Sequence, residues 1–100
     1  MTRLEFHSVL VGLLGAPDVY FQPPSSIRMK YPCIVYSRDG RDERFADDSL
    51  YNKKQRYSVT VIDSNPDSLI PEKVGDLSMS SFSKHFVVEN LNHNIYSVYI

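Results

Sequence analysis

Arg56-Tyr57-Ser58-Val59-Thr60-Val61-Ile62-Asp63 reads as a half-buried strand. From Tyr57 to Val61 it alternates with period two, placing Tyr and Val on one side and Ser and Thr on the other. Successive side chains of a strand point to opposite faces, so one face is apolar and the other carries hydroxyls. A sheet covered on one face by helices accounts for that pattern. Downstream, Asp63-Ser64-Asn65-Pro66 has the composition of a turn.

The remaining elements follow outward from this strand. Near the N-terminus, Thr2 and Glu5 have the spacing of a capping box, and Phe6, Val9, Leu10, Leu13 and Leu14 recur at helical spacing. Gly15 fits the left-handed position that ends a helix, and Pro17 prevents its continuation. Gly12 weakens the last turn and would let a strand approach closely. Val19 to Gln22 is a short strand stopped by Pro23-Pro24, residues 23 to 31 form a loop, and Pro32 opens a strand from Cys33 to Ser37. A second helix is expected after Asp67 or Ser68, which can cap it, with Pro71 in its first turn and Ile70, Val74 and Leu77 on one face. Two strands, Phe82 to Val88 and Asn94 to Ile100, close the chain, joined by Glu89 to His93. The last carries apolar bulk on both faces, which predicts a strand covered on both sides or one that meets another subunit. The expected fold is α+β: a mainly antiparallel sheet, two helices packed on one face, and a long hairpin-like arm.

One hundred residues make one domain, spanning residues 1–100, and leave no room for a second core. Eleven basic and twelve acidic side chains give a net charge of −1. Nucleic-acid binders draw much of their affinity from an excess of Lys and Arg, which is missing. The lone Cys33 cannot form an internal disulfide, and in the run Cys33-Ile34-Val35-Tyr36 it reads as a small buried apolar residue. The first residues lack the continuous apolar stretch of a signal peptide, and no segment has the ~20 apolar residues that span a bilayer. A cytoplasmic site of synthesis is the expectation.

Charge is concentrated in the arm, residues 38–56. Arg38, Asp39, Arg41, Asp42, Glu43, Arg44, Asp47, Asp48, Lys53, Lys54 and Arg56 lie there, six positive and five negative. A connection this long in a compact domain is functional, mobile or folded as a hairpin. Phe45, Leu50 and Tyr51 punctuate it. A solvated hairpin with incidental aromatics explains the pattern, and so does an arm that docks on a neighbour with the aromatics as anchors and the charges setting register. On the docking reading the subunit interface comprises Arg41, Arg44, Phe45, Leu50, Tyr51 and Lys53, with Tyr96 and Tyr99 of the last strand.

Catalysis needs a constellation, and none assembles. His7, His85 and His93 have no spacing that places two imidazoles on one metal, and the four glycines form no phosphate-binding motif. Asp47-Asp48 and Asp63…Asp67 do not follow the calcium-loop pattern. No cofactor, no metal and no enzymatic activity are expected. Lys53, Lys54 and Arg56 beside Tyr51 and Tyr57 form a basic-aromatic cluster that can track a nucleic-acid backbone, but five acids share the segment.

The runs Asp18-Val19-Tyr20-Phe21-Gln22-Pro23-Pro24, Lys30-Tyr31-Pro32-Cys33-Ile34-Val35-Tyr36, Arg56 to Asp63, and Asn90-Leu91-Asn92-His93-Asn94-Ile95-Tyr96 resemble small neck proteins of long-tailed bacteriophages. Their order is similar to the tail terminator family, also called tail-completion or head–tail joining. The resemblance covers nearly the whole chain, and its motifs are hydrophobic and structural. It implies a structural virion protein, made in the host cytoplasm and located in the neck. There it would form a hexameric ring that caps the tail tube and faces the head connector. The neighbouring head-completion role stays open. Two other readings compete: a small nucleic-acid-binding regulator, and an enzyme whose site forms only between subunits.

Overall fold

The computed structural model describes residues 1–46 and 49–100, with the side chains of residues 41–54 outside the description. In chain order the elements are α1 (Arg3–Leu14), β1 (Val19–Phe21), β2 (Cys33–Ala46), β3 (Ser49–Asp63), α2 (Ile70–Gly75), β4 (Ser80–Val88) and β5 (Leu91–Tyr99). The five strands form one sheet in the order β1-β2-β3-β5-β4. β1 runs parallel to β2, and the other neighbours are antiparallel. The protein is thus α+β, with a mixed and mostly antiparallel sheet.

α1 forms where its local chemistry predicts. The Thr2 hydroxyl accepts from the Glu5 N–H at 3.1 Å, while the Glu5 carboxylate accepts from the Thr2 N–H at 3.0 Å. That carboxylate is held below its ordinary pKa by the hydrogen bonds from Thr2, backbone first. Gly15 closes the helix in the left-handed conformation (φ 76°), its N–H bonded to the Val11 carbonyl. Phe6 and Leu10 are buried, and Val11, Leu13 and Leu14 pack against the core from its margin. Gly12 is exposed, with nothing within 4 Å of the position a Cβ would occupy, so no strand approaches it and the expected close contact is absent.

Both helices lie on one face of the sheet. Phe6, Leu10 and Val74 join Val19, Ile34, Tyr36, Tyr57, Val59, Val61, Tyr96 and Val98 in one buried cluster. The alternation read from Tyr57 to Val61 is realised here: Tyr57, Val59 and Val61 enter the core, while Ser58 and Thr60 sit half-exposed behind it. Each fully buried side chain of this kind contributes roughly 1.5–3 kcal/mol. Phe6 and Phe21 each meet Tyr36 and Tyr57, which also meet each other, with ring centroids between 4.9 and 6.4 Å apart, and Arg3 lies 4.4 Å over Phe21.

Several boundaries differ from expectation. Leu69, not Asp67 or Ser68, occupies the N-cap position of α2 and makes no side-chain cap. Ser68 still contributes, since its hydroxyl accepts from the Ile70 N–H at 3.3 Å. The loop expected from Glu89 to His93 shrinks to Glu89-Asn90, both at positive φ, as a tight turn between twisted strands requires. Leu91 to His93 thereby join β5, which lies inside the sheet between β3 and β4. Beyond Ser37 the expected hairpin-like arm forms as two paired strands. β2 and β3 continue as a paired hairpin past the last β5 partners, Arg56↔Tyr99, with further pairs from Gly40↔Arg56 to Ala46↔Ser49. The molecule is elongated, 50 × 24 × 23 Å.

Candidate assembly surface

At the root of the hairpin, the pairing slips by one residue between Arg38↔Tyr57 and Gly40↔Arg56, leaving Asp39 as the extra residue of a bulge. Its carboxylate accepts from Arg56 Nε at 2.7 Å, and its carbonyl accepts from Arg56 Nη2 at 3.2 Å. Hydrogen bonding to Asp39 first, and to Tyr99 next, raises the pKa of the guanidinium. A Cβ on Gly40 would lie 2.7 Å from Arg56 Nη2, so glycine leaves the space in which the guanidinium rests. Arg38 Nη2 donates to the Tyr57 hydroxyl at 3.3 Å on the preceding pair. These contacts fix where the hairpin departs from the sheet.

The opposite edge of the sheet is β4. Every residue from Ser81 to Val88 is exposed, including Phe82 at 58%, Val87 at 56% and Val88 at 50%. β4 lies at the sheet edge and carries a second bulge. Phe82 pairs with Tyr96, yet Lys84 pairs with Ile95, so Ser83 is the extra residue. Simple alternation would put Phe82 and Phe86 on the same face. The bulge puts them on opposite ones: Phe82 meets Tyr96 edge-on at 5.6 Å on the helix side, and Phe86 stacks on His93 at 4.6 Å on the other. Lys84 lies 5.4 Å over the Phe86 ring. Natural edge strands are kept from pairing with other chains by proline, charge, shortness, a bulge or a cover, and β4 has the bulge at Ser83. β4 has nine residues, no proline, and Lys84 as its only permanent charge.

The sequence-predicted interface residues divide into two groups. Arg41, Arg44, Phe45, Leu50, Tyr51 and Lys53 belong to the β2–β3 hairpin, and their side chains lie outside the described residues. Tyr96 is 8% exposed and sits in the subunit's own core, where its ring comes within 3.2 Å of the place a Cβ on Gly75 would take. Burial, then the charges of Glu72 and Asp76, push its hydroxyl above the ordinary tyrosine pKa. Tyr99 is half-exposed beside Arg56 and lines an open apolar groove of about 280 Å³. Met1, Phe6, Val9, Met79, Val98 and Ile100 form much of the rest of that groove. Large exposed apolar side chains lie instead on the neighbouring strand β4. The run Phe86-Val87-Val88, apolar at three successive positions, was the available signal.

The histidines have separate structural partners. His7 Nδ1 lies 2.7 Å from the Tyr36 hydroxyl, to which Arg3 also donates. His85 Nε2 donates to Asn92 Oδ1 at 3.2 Å, and His93 Nδ1 donates to the Leu91 carbonyl at 3.1 Å. Among the described residues, no group of three or more His, Cys, Asp or Glu is placed to hold a metal ion. Cys33 is completely buried, and its thiol is pushed up to about 11, mainly by burial, with Asp18 and Asp63 adding to it. A thiol so protonated is a poor nucleophile. Among the described residues, no helix is long and apolar enough to cross a membrane.

No family model matches the chain, and no curated protein or solved structure is significantly similar to it.

Proposed function

We propose that this chain is a structural assembly protein of the neck of a long-tailed bacteriophage, a tail terminator or head–tail joining protein that forms a ring on the tail tube. The observation that carries the assembly part is β4, a nine-residue edge strand with exposed apolar side chains on both faces. Exposed apolar patches rimmed by polar residues mark interaction sites, and an unpaired strand edge is a template for another chain. The paired hairpin that projects beyond β5 is a second such element. The neck assignment rests on the sequence resemblance alone. Its partners would be further copies of the chain, the tail tube protein, and the head connector or completion protein.

Electron microscopy of the purified protein mixed with phage tail tubes tests this reading. A ring of density on one tube end is expected. Phe45→Ala with Tyr51→Ala should weaken that docking while the melting curve of the free chain stays nearly unchanged. Failure to associate with tubes or connectors would overturn the reading. Salt-dependent DNA binding that disappears on neutralising Lys53, Lys54 and Arg56 would replace it with the nucleic-acid alternative.

A further inference from the structure

We infer that subunits join by sheet continuation, the outer edge of β4 in one copy pairing through its main chain with the outer edge of β2 in the next. The inference rests on the ring reading and names the joint within it. A sheet ordered β1-β2-β3-β5-β4 has two sides. On one side, β4 pairs only with β5 among the described residues. On the other, β1 covers β2 only at Ile34, Val35 and Tyr36, and Gln22 extends that cover through its N–H to the Tyr36 carbonyl and its side chain to the Arg38 N–H. From Asp39 to Ala46 the far edge of β2 has no strand beside it among the described residues.

The two open edges match in length. β4 has nine residues, Ser80–Val88, and the open part of β2 runs from Asp39 to Ala46. At ~3.3 Å per residue both are roughly 25–30 Å long. They also differ in charge. Residues Ser80 to Val88 include Lys84 and His85 and no acid, whereas Asp39 to Ala46 mixes Asp42 and Glu43 with Arg41 and Arg44, the Asp39 carboxylate being taken by Arg56. A two-stranded ribbon is marginal in water by itself, and a third strand along β2 would stabilise it. The same addition would cover Phe82, Phe86 and Val88 at the receiving edge. Because the two edges are different surfaces, the contact is head-to-tail, the kind that closes into a ring when the rotation permits. A β4–β4 contact would instead stop at a dimer.

Single cysteines separate these geometries, because buried Cys33 does not compete for oxidation. One set of full-length variants carries Ser81→Cys, Lys84→Cys or Val88→Cys. The other carries Arg41→Cys, Glu43→Cys or Phe45→Cys. Facing residues on paired strands lie within disulfide reach. Under mild oxidation, a mixture of one variant from each set should give a covalent dimer that neither gives alone, and the productive combinations should step along both strands in register. Three positions on each strand guard against one misfolded variant, and circular dichroism confirms folding. Bridging of the β4 variants with themselves would overturn the inference in favour of a two-fold dimer. Sedimentation of the unmodified protein distinguishes the two levels of failure. Rings without mixed bridges would sink this joint and leave the ring reading standing, whereas a chain that stays monomeric at every concentration would sink both.

Discussion

His7 and Tyr36, 29 positions apart in sequence, lie 2.7 Å from one another, ring nitrogen to hydroxyl, and so tie α1 to β2. Tyr36 is fully buried in the aromatic cluster, and its oxygen also receives a bond from Arg3 at 3.3 Å. Tyr36→Phe keeps the ring and removes the oxygen that both residues share. A loss of about 0.5–1.5 kcal/mol is expected in chemical denaturation. An unchanged midpoint would mean that water replaces the hydroxyl without cost.

Leu10 is completely buried and Leu13 is only partly covered, although both belong to the same predicted stripe. Leu10→Ala should cost about 2–5 kcal/mol, a large share of the ~5–15 kcal/mol holding a domain together. Leu13→Ala should cost distinctly less. Equal melting temperatures for the two variants would show that the core is misplaced.

Gly12 stands in the interior of α1 with open space around it. Gly12→Ala should therefore stabilise the protein by up to ~1 kcal/mol, because alanine loses less backbone freedom on entering a helix. A thermal melt reads the sign directly. Destabilisation would reveal a contact at that helix surface.

The raised pKa of Cys33 carries a pH dependence. The folded state holds the neutral thiol up to about 11, whereas an unfolded cysteine ionises near ~8.5. Between those values the unfolded chain loses its proton first. The contribution to stability is whole below the lower value and falls as pH rises toward the upper one. Denaturant midpoints should drop between pH 8 and 10.5 more steeply for the unmodified protein than for Cys33→Ala. A thiol reagent at pH 8 should react slowly until denaturant is added.

The hydroxyl of Ser80 is buried and has no hydrogen-bond partner among the described residues. Ser80→Ala removes an unsatisfied polar group while nearly conserving shape, so stability should rise, by about 1 kcal/mol. Calorimetry would show the gain as a higher melting temperature.

What was legible in the sequence was local. Thr2, Glu5 and Gly15 mark the ends of α1 because caps are made within a few residues, and Tyr57 to Val61 declares its faces by alternation. Strand order was not legible, because it depends on pairing between distant segments. Tyr96 and Val98 opposite Ile95 and Tyr99 suggested a strand covered on both sides or one that meets another subunit; β5 is an inner strand of the sheet, and Tyr96 lies in the core. The length and mixed charge of residues 38–56 pointed to a hairpin-like arm, but its register was not legible, because the charges follow no period-two pattern. The odd residues at the register shifts, Asp39, Tyr51 and Ser83, defeat period counting altogether.

Ser83 has a consequence for how this chain can tolerate change. Removing one residue from a strand ordinarily inverts everything beyond it, so core side chains meet solvent. Here Phe82 and Lys84 already oppose the consecutive β5 residues Tyr96 and Ile95, with Ser83 as surplus between them. Deleting Ser83 would leave an unbroken ladder with each partner kept, and would relax only the local bend that a bulge imposes. At this position the strand's length and the facing of its side chains are uncoupled, so the shape of the outer rim can evolve by a single codon without disturbing the interior.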